Sequence, residues 1–259
     1  MTSTILEPVI GSRADVAALL RRLYRTMATV RRLDREAVVL RGRGLLPSHI
    51  DSRGREAVHV GAASALDPAR DRAFPAAHEP GIAIALGADP AAVLSARRGA
   101  LGAALEGSVT HAVGWALGAK LDRTGGCALA PVGAGSGSTA ELRTAVGTAR
   151  AAALPVVFLS GSGRSGGTSM PVLLVDGSDA LAVHEATLEA LEHARSGLGP
   201  ILIDAVLPEP AAWPARDPLV VCEQRLRETG TVDDDYFAEV ADTADALADR
   251  MRARVTAGV

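Results

Sequence analysis

Two glycine- and serine-rich turns contain the residue types best placed to bind or react with a ligand in this chain of 259 residues. The first turn, residues 133–138, offers backbone N–H groups ahead of a predicted helix, an arrangement that can cradle an anion. It is not a dinucleotide fingerprint, because the third glycine of that motif would fall on Ser138. The simpler interpretation is a strand-to-helix turn that glycine permits and that binds nothing.

The second turn, residues 160–168, contains the pattern G-x-S-x-G from Gly163 to Gly167. That pattern is typical of the nucleophile elbow of a serine hydrolase, in which a strand precedes the serine and a helix follows it. Here an apolar run typical of a strand follows, and a segment so rich in glycine and serine matches the pattern easily by chance. We therefore interpret it as a loop without a nucleophile.

His78, which precedes Glu79, and His111 are the candidate catalytic residues, because histidine can act as a general acid or base near neutral pH. One sequence does not place them in the same cleft, and a solvent-facing or hydrogen-bonded histidine is the alternative for each. The remaining histidines show no metal-ligand spacing; they are His49, His59, His184 and His193. No metal ligand is predicted.

Composition excludes several classes of protein. The net charge of -3 and the aromatic content of 3% argue against a nucleic-acid-binding surface. Cys127 and Cys222 lie far apart in the sequence and predict buried thiols rather than a disulfide or zinc scaffold. The chain opens on no signal-like segment and contains no apolar run of about 18 residues, so we expect a cytoplasmic protein without membrane contact.

The elements that must position the two turns form an alternating pattern. Short apolar runs alternate with helical segments through the middle of the chain, which predicts a mostly parallel sheet flanked by helices. Ligands of such sheets bind beyond the carboxyl ends of the strands, where both turns fall. Strands are predicted at 127–132, 154–159, 172–175 and 200–206, and helices at 139–153 and 181–196.

The ends of the chain are predicted to be helical. Ser12 and Asp15 form a helix start, and apolar residues then recur at helical spacing up to Val30. A second helix is expected at about 54–66. We divide the chain into an α/β domain with an N-terminal helical arm, residues 1–207, and a proline-rich connector with a C-terminal helix, residues 208–259.

A series of short motifs, in order and spacing, resembles the alpha subunit of the decarboxylating component of 2-oxo acid dehydrogenases of the pyruvate dehydrogenase type. The resemblance implies a thiamine-diphosphate-binding-like fold and a beta-subunit partner, with an α2β2 assembly. The matching segments are 23–27, 32–34, 54–66, 71–81, 111–121, 154–158, 175–177 and 194–200.

In that family, thiamine diphosphate is held through Mg²⁺ by a G-D-G turn and a later N-N pair. Counted without gaps, the first motif falls on Gly133, Ala134 and Gly135, and the second on Ser162 and Gly163. Mg²⁺ requires oxygen ligands, and a methyl group, one hydroxyl and a glycine do not supply them. We therefore expect this chain to bind no cofactor in the family manner.

Three further departures affect the same site. The family's Tyr-Arg pair falls on Ala77 and His78, the segment between Ala96 and Glu106 is short, and a proline-rich stretch at 208–213 replaces a polar loop. Three hypotheses follow. The first is a degenerate alpha-like subunit that supports a beta-like partner. The second is a repurposed enzyme of a biosynthetic pathway, acting on a small-molecule or carrier-bound substrate in the vacated cleft. The third is an unusual but working thiamine-dependent enzyme.

Overall fold

A parallel sheet forms the centre of the molecule. The computed structural model describes residues 12–46, 53–75, 80–89, 93, 109–132, 140–161, 169–209 and 215–257. Within them five strands pair in the order β1-β2-β3-β5-β4, and every pair is parallel. Their bounds are β1 Arg72–Ala73, β2 Ala128–Val132, β3 Val156–Ser160, β4 Val172–Asp176 and β5 Ile201–Val206. This confirms the predicted α/β class with a mostly parallel sheet.

Helices cover the sheet and extend beyond it. The helices of the described residues are α1 Arg13–Gly42, α2 Glu56–Ser64, α3 Pro80–Ala85, α4 Val109–Leu121, α5 Ala140–Ala151, α6 Ala180–His193, α7 Pro218–Thr229 and α8 Asp234–Ala257. A π-helical turn, Ala194–Leu198, extends α6, and Gly197 within it adopts a φ of 78°. The predicted stop of that helix at glycine 197 is therefore confirmed.

The apolar sequence of β3 explains why the sheet is covered on both faces. Val157 and Leu159 pack into a cluster with α2 and α6, whereas Val156 and Phe158 pack into a second cluster with α4 and α5. Because alternate residues of a strand point to opposite faces, a continuous apolar run requires helices on both sides. The central strands are therefore stabilised by burial on both faces as well as by their hydrogen-bonded pairing.

A long helix packs against one side of this core. The predicted start of α1 is confirmed, because Ser12 and Asp15 form a reciprocal capping box. Apolar residues of α1, including Leu23 and Leu40, pack against α2, α7 and α8. Helices α7 and α8 thus pack on α1, the helical arm at the start of the chain. The domain boundary that we place between residues 207 and 208 remains a prediction.

A buried charged group joins α1, α2 and the start of α7. The Arg31 guanidinium donates to both carboxylate oxygens of Asp217, at 2.9 and 3.0 Å, and also bonds Glu56. Glu56 in turn accepts the backbone N–H of Gly54 at 2.8 Å, and Asp217 accepts that of Leu219. Three buried charges therefore have charged or hydrogen-bonding partners, as burial requires.

Three elements were not predicted from the sequence: the short strand β1 and the helices α3 and α7. The expected extended connector at 208–218 is not helical at 208–209 and 215–217, but Pro218 already belongs to α7. Residues 210–214 lie outside the described part of the chain.

Candidate functional site at the carboxyl edge of the sheet

The two glycine-rich turns leave the sheet from neighbouring strands. Val132 and Ser160, the last residues of β2 and β3, are paired directly in register. The two strands therefore end side by side at the carboxyl edge, at the points in the sequence where these turns begin. Most of the predicted site residues lie outside the described part of the chain; they are His78, Gly133, Ala134, Gly135, Ser162 and Gly163.

His111 lies at the same edge. Helix α4 leads into β2 and packs against it, so the first turn of α4 lies at the carboxyl end of that strand. A hydrogen bond supports this placement. The Thr110 hydroxyl donates to Glu141 at 3.0 Å, and Glu141 lies in the first turn of α5, the next helix after β2 in the chain. The His111 side chain is exposed. Solvent and ligands can therefore reach it.

Sequence reasoning did not select the buried pair Ser160 and Asp204. They are register partners on β3 and β5, and Asp204 has no exposed surface. The signal was present, because Asp204 is the one charged residue in the apolar run 200–206. The register therefore places a carboxyl-bearing and a hydroxyl-bearing residue on adjacent strands near the carboxyl edge of the sheet.

Asp176 ends β4 and has a hydrogen-bonding set of its own. It accepts the Ser178 hydroxyl at 2.7 Å and the Ser178 N–H at 3.0 Å, and it pairs with Arg216. Partial burial opposes ionisation, but these donors outweigh it and hold the pKa of Asp176 below its usual value. Gly177 is required beside it, since a Cβ there would lie 3.0 Å from the Val206 carbonyl oxygen.

Potential metal ligands are sparse in the described residues. No group of three or more histidine, cysteine, aspartate or glutamate side chains within them is arranged to hold a metal ion. The carboxylate of Asp176 at the edge is already engaged by Ser178 and Arg216. Both cysteines are buried and free, as predicted, and burial raises the pKa of Cys127 and Cys222 to about 12.

Two other histidines lie in the helix layer and not at the edge. The His184 ring on α6 is hydrogen-bonded to the Ser64 hydroxyl on α2 at 2.8 Å, and burial lowers the pKa of His184 to about 4. His59 on α2 is buried against α3, where a Cβ on Gly81 would lie 2.6 Å from the ring. These positions suit packing, in agreement with their lack of ligand spacing.

No helix among the described residues is long and apolar enough to cross a membrane.

Comparisons with known proteins agree with this architecture. A family described as "Dehydrogenase E1 component" matches residues 160–207, which include the last residue of β3 and all of β4, α6 and β5. The transketolase of Campylobacter jejuni superposes with a TM-score of 0.51 at 15% identity, covering 90% of this chain and 48% of that one. That likeness supports the thiamine-diphosphate-binding-like fold.

Relatives in sequence extend over most of the chain. The 2-oxoisovalerate dehydrogenase subunit alpha of Bacillus subtilis is 28% identical over 87% of both chains. The 3-methyl-2-oxobutanoate dehydrogenase subunit alpha of Mycobacterium tuberculosis is 33% identical over 72% of this chain and 60% of its own. The pyruvate dehydrogenase E1 component subunit alpha of Zymomonas mobilis is 30% identical over 77% of this chain and 68% of its own. With these matches to its sheet and helices, the chain belongs to the family of 2-oxo acid dehydrogenase E1 alpha subunits.

Proposed function

We propose that this chain is an alpha-like subunit whose magnesium and thiamine diphosphate site has lost its ligands, and that it acts in a heteromer with a beta-like partner. One observation supports the loss of the site above all. Because Val132 and Ser160 are register partners, the positions aligned with the family's two metal motifs follow neighbouring strand ends. The sequence alignment of those motifs therefore fits the register of the sheet.

The side chains at those positions do not fit the metal. Ala134 stands where the family has an aspartate, and Ser162 and Gly163 stand where it has two amides. Mg²⁺ is held in proteins by oxygen ligands, usually including a carboxylate, and it gives up bound water reluctantly. One neutral hydroxyl cannot compensate for an anionic ligand. We therefore derive no chemical step that uses the cofactor on this chain.

The relatives and the surface support the heteromer. The three relatives named above are each described as a subunit alpha. Helix α4 buries Ala112 and Ala116 against the sheet but leaves Leu117 and Leu121 exposed by 42% and 72%. Large apolar side chains at the surface are suited to burial against another subunit. An α2β2 assembly follows from the family pattern.

The proposal is tested by restoring the ligands. The triple variant Ala134→Asp, Ser162→Asn, Gly163→Asn returns the family's donor set, and calorimetry with thiamine diphosphate and Mg²⁺ compares it with the unaltered chain, each bound to the beta-like partner. We expect at least about ten-fold tighter binding by the triple variant, since it regains a charged metal ligand. Ser12→Asn, a change distant in sequence from the turns, is the matched control and should bind as the unaltered chain does. Equal, micromolar binding by all three proteins would contradict the proposal.

A second candidate is a repurposed enzyme that uses the vacated cleft without thiamine diphosphate. The exposed position of His111 at the carboxyl edge favours it, because a general acid or base must be reachable by substrate. His111→Ala should then abolish product formation from a panel of 2-oxo and carboxylic acids, followed by mass spectrometry on the complex. Arg35→Ala, an exposed change on α1, should leave it intact. His78→Ala extends the test to the other histidine.

Equal turnover in both histidine variants and in the Arg35→Ala control would favour the supporting subunit over the repurposed enzyme.

The third hypothesis, a working thiamine-dependent enzyme, predicts thiamine diphosphate in the purified complex at one molecule per site. Mass spectrometry of the denatured complex measures that content.

A further inference from the structure

A crevice lies between α1 and the turn that joins α7 to α8, and its residues are distant in sequence from the two glycine-rich turns. Its volume is about 540 Å³, which is within the range of small-molecule sites. Arg21 and Arg25 of α1 line one side, and Thr231, Asp233 and Tyr236 line the other. Arg25 lies within the segment 23–27 that resembles the family's opening helix, but none of the residues lining the crevice belongs to the positions aligned with the family's metal motifs.

The two arginines are arranged as an anion-binding pair. They are four residues apart, so both guanidinium groups project from the same face of α1. Neither is paired with a carboxylate of a described residue, whereas Arg31 and Arg32 further along the same helix are paired. Arg21 donates to the Thr231 carbonyl oxygen, which holds its guanidinium at the crevice. Two like charges on one helix face repel each other, and a shared anion removes that repulsion.

The opposite side of the crevice is fixed by Tyr236. Its hydroxyl donates to the Arg21 carbonyl oxygen at 3.0 Å, and its ring lies 5.9 Å from the Arg25 guanidinium carbon. The ring therefore provides a rigid, partly apolar side next to the two cations. A ligand with an anionic group and an adjoining apolar or planar part would contact both.

Among the described residues that line the crevice, Asp233 is the only acidic one. Its carboxylate accepts the Tyr236 N–H at 3.0 Å and thereby caps α8. The cap holds the carboxylate at the helix, but its negative charge still weakens the attraction for an anion. This residue provides a variant with an effect opposite to that of the arginines.

We propose that this crevice binds a small phosphorylated molecule through its phosphate group, with Arg21 and Arg25 as the phosphate ligands and Tyr236 beside the rest of the molecule. Guanidinium groups match phosphate oxygens with paired, charge-assisted hydrogen bonds. The chemistry concerned is that of a phosphate monoester, and it is separate from the diphosphate site of the family in both residues and elements.

The test uses the full chain with inorganic phosphate and phenyl phosphate, titrated calorimetrically at constant ionic strength. We expect phenyl phosphate to bind more tightly than inorganic phosphate, since its ring can lie beside Tyr236. Arg25→Gln should weaken both by about ten-fold, the effect of one charge-assisted hydrogen bond. Arg35→Gln, on the exposed side of the same helix, should have no effect.

Asp233→Asn sharpens the test, because asparagine caps a helix as well as aspartate does while removing the charge. It should tighten phosphate binding several-fold without loss of thermal stability. The weakest specific binding that we expect has a dissociation constant on the order of 10 mM. The proposal is overturned if phenyl phosphate at about that concentration gives no binding heat. It is also overturned if Arg25→Gln and Arg35→Gln bind alike, or if Asp233→Asn leaves the affinity unchanged.

Discussion

Charged side chains behave differently in two regions of this molecule. At the junction of α1, α2 and α7, the buried residues Arg31, Glu56 and Asp217 are fully bonded to one another and to backbone N–H groups. In the turns after β2 and β3, the aligned ligand positions hold alanine, serine and glycine. Charge is present where it joins helices, and we propose that it has been lost from the positions aligned with the family's metal ligands.

This contrast indicates that the fold and the candidate site at the carboxyl edge depend on separate sets of residues. The sheet is maintained by apolar strands such as β3, which is buried along its whole length. The helical arm is held by the apolar face of α1 and is joined to α2 and α7 by the buried ion group. Neither set includes the turn positions, so the proposed loss of the ligands is compatible with an intact scaffold.

The largest effect is expected at the buried ion group. Arg31→Met leaves the Glu56 and Asp217 carboxylates buried without their cation, which should lower the free energy of unfolding by about 3–5 kcal/mol. Arg35→Met, on the exposed face of the same helix, should change it by less than about 0.5 kcal/mol. Urea denaturation measures both. Similar, small effects of the two changes would remove the ion group from this account.

Acid should weaken the contact between α2 and α6. The pKa of His184 is lowered by burial to about 4 in the folded chain, so between about pH 6.5 and pH 4 the unfolded chain binds a proton that the folded chain does not. Stability should therefore fall as the pH falls through this window, by roughly 3 kcal/mol in all. In His184→Gln this part of the pH dependence should disappear. A wild-type stability that stays level from pH 6.5 to pH 4.5 would argue against a buried, neutral histidine.

A smaller effect is expected where helices approach closely. A Cβ on Gly61 would lie 2.6 Å from the Ala180 carbonyl oxygen and 2.9 Å from Val183, so Gly61→Ala should destabilise the chain by about 1–3 kcal/mol. Gly118 on α4 has no atom within 4 Å of the same position, and Gly118→Ala should stabilise its helix by about 0.5–1 kcal/mol. Thermal melts of the two variants should shift in opposite directions. A stabilising shift in Gly61→Ala would show that α2 and α6 are not in close contact, and a destabilising shift in Gly118→Ala would contradict the open space beside α4.

The smallest effect concerns the charge that remains at the carboxyl edge. Ser178→Ala removes the hydroxyl donor of Asp176, so the pKa of Asp176 should rise toward its usual value. An NMR titration of the aspartate carboxyl groups follows it directly. Ser196→Ala, which removes a hydroxyl bonded to the Glu192 carbonyl on α6, is the control and should leave that pKa unchanged.

Much of the fold was accessible from the sequence because apolar runs and caps are local signals. The strands predicted at 127–132 and 200–206 are confirmed within one residue at either end, and the helix start predicted at Ser12 is also confirmed. Strand β1 contains two residues, too few for a periodic pattern. Helix α7 was missed because prolines dominated its surroundings, although Asp217 as N-cap and Pro218 in the first turn are typical of a helix start.

The candidate site was less accessible, because it depends on contacts between distant segments. Nothing in the sequence shows that Asp204 lies beside Ser160, since the register of β5 with β3 brings them together. The sequence likewise does not show that Arg216 pairs with Asp176, because the two residues are distant in the chain. The assignment of Ala134, Ser162 and Gly163 to the metal positions stays a prediction.

We propose that this chain does not hold the divalent ion of its family, and Mn²⁺ in place of Mg²⁺ provides a test. Electron paramagnetic resonance reports the concentration of free Mn²⁺ in a solution of the chain, its beta-like partner and thiamine diphosphate. We predict that adding the protein leaves the free-ion signal unchanged at micromolar Mn²⁺. Loss of one equivalent of that signal per chain, dependent on thiamine diphosphate, would contradict the account.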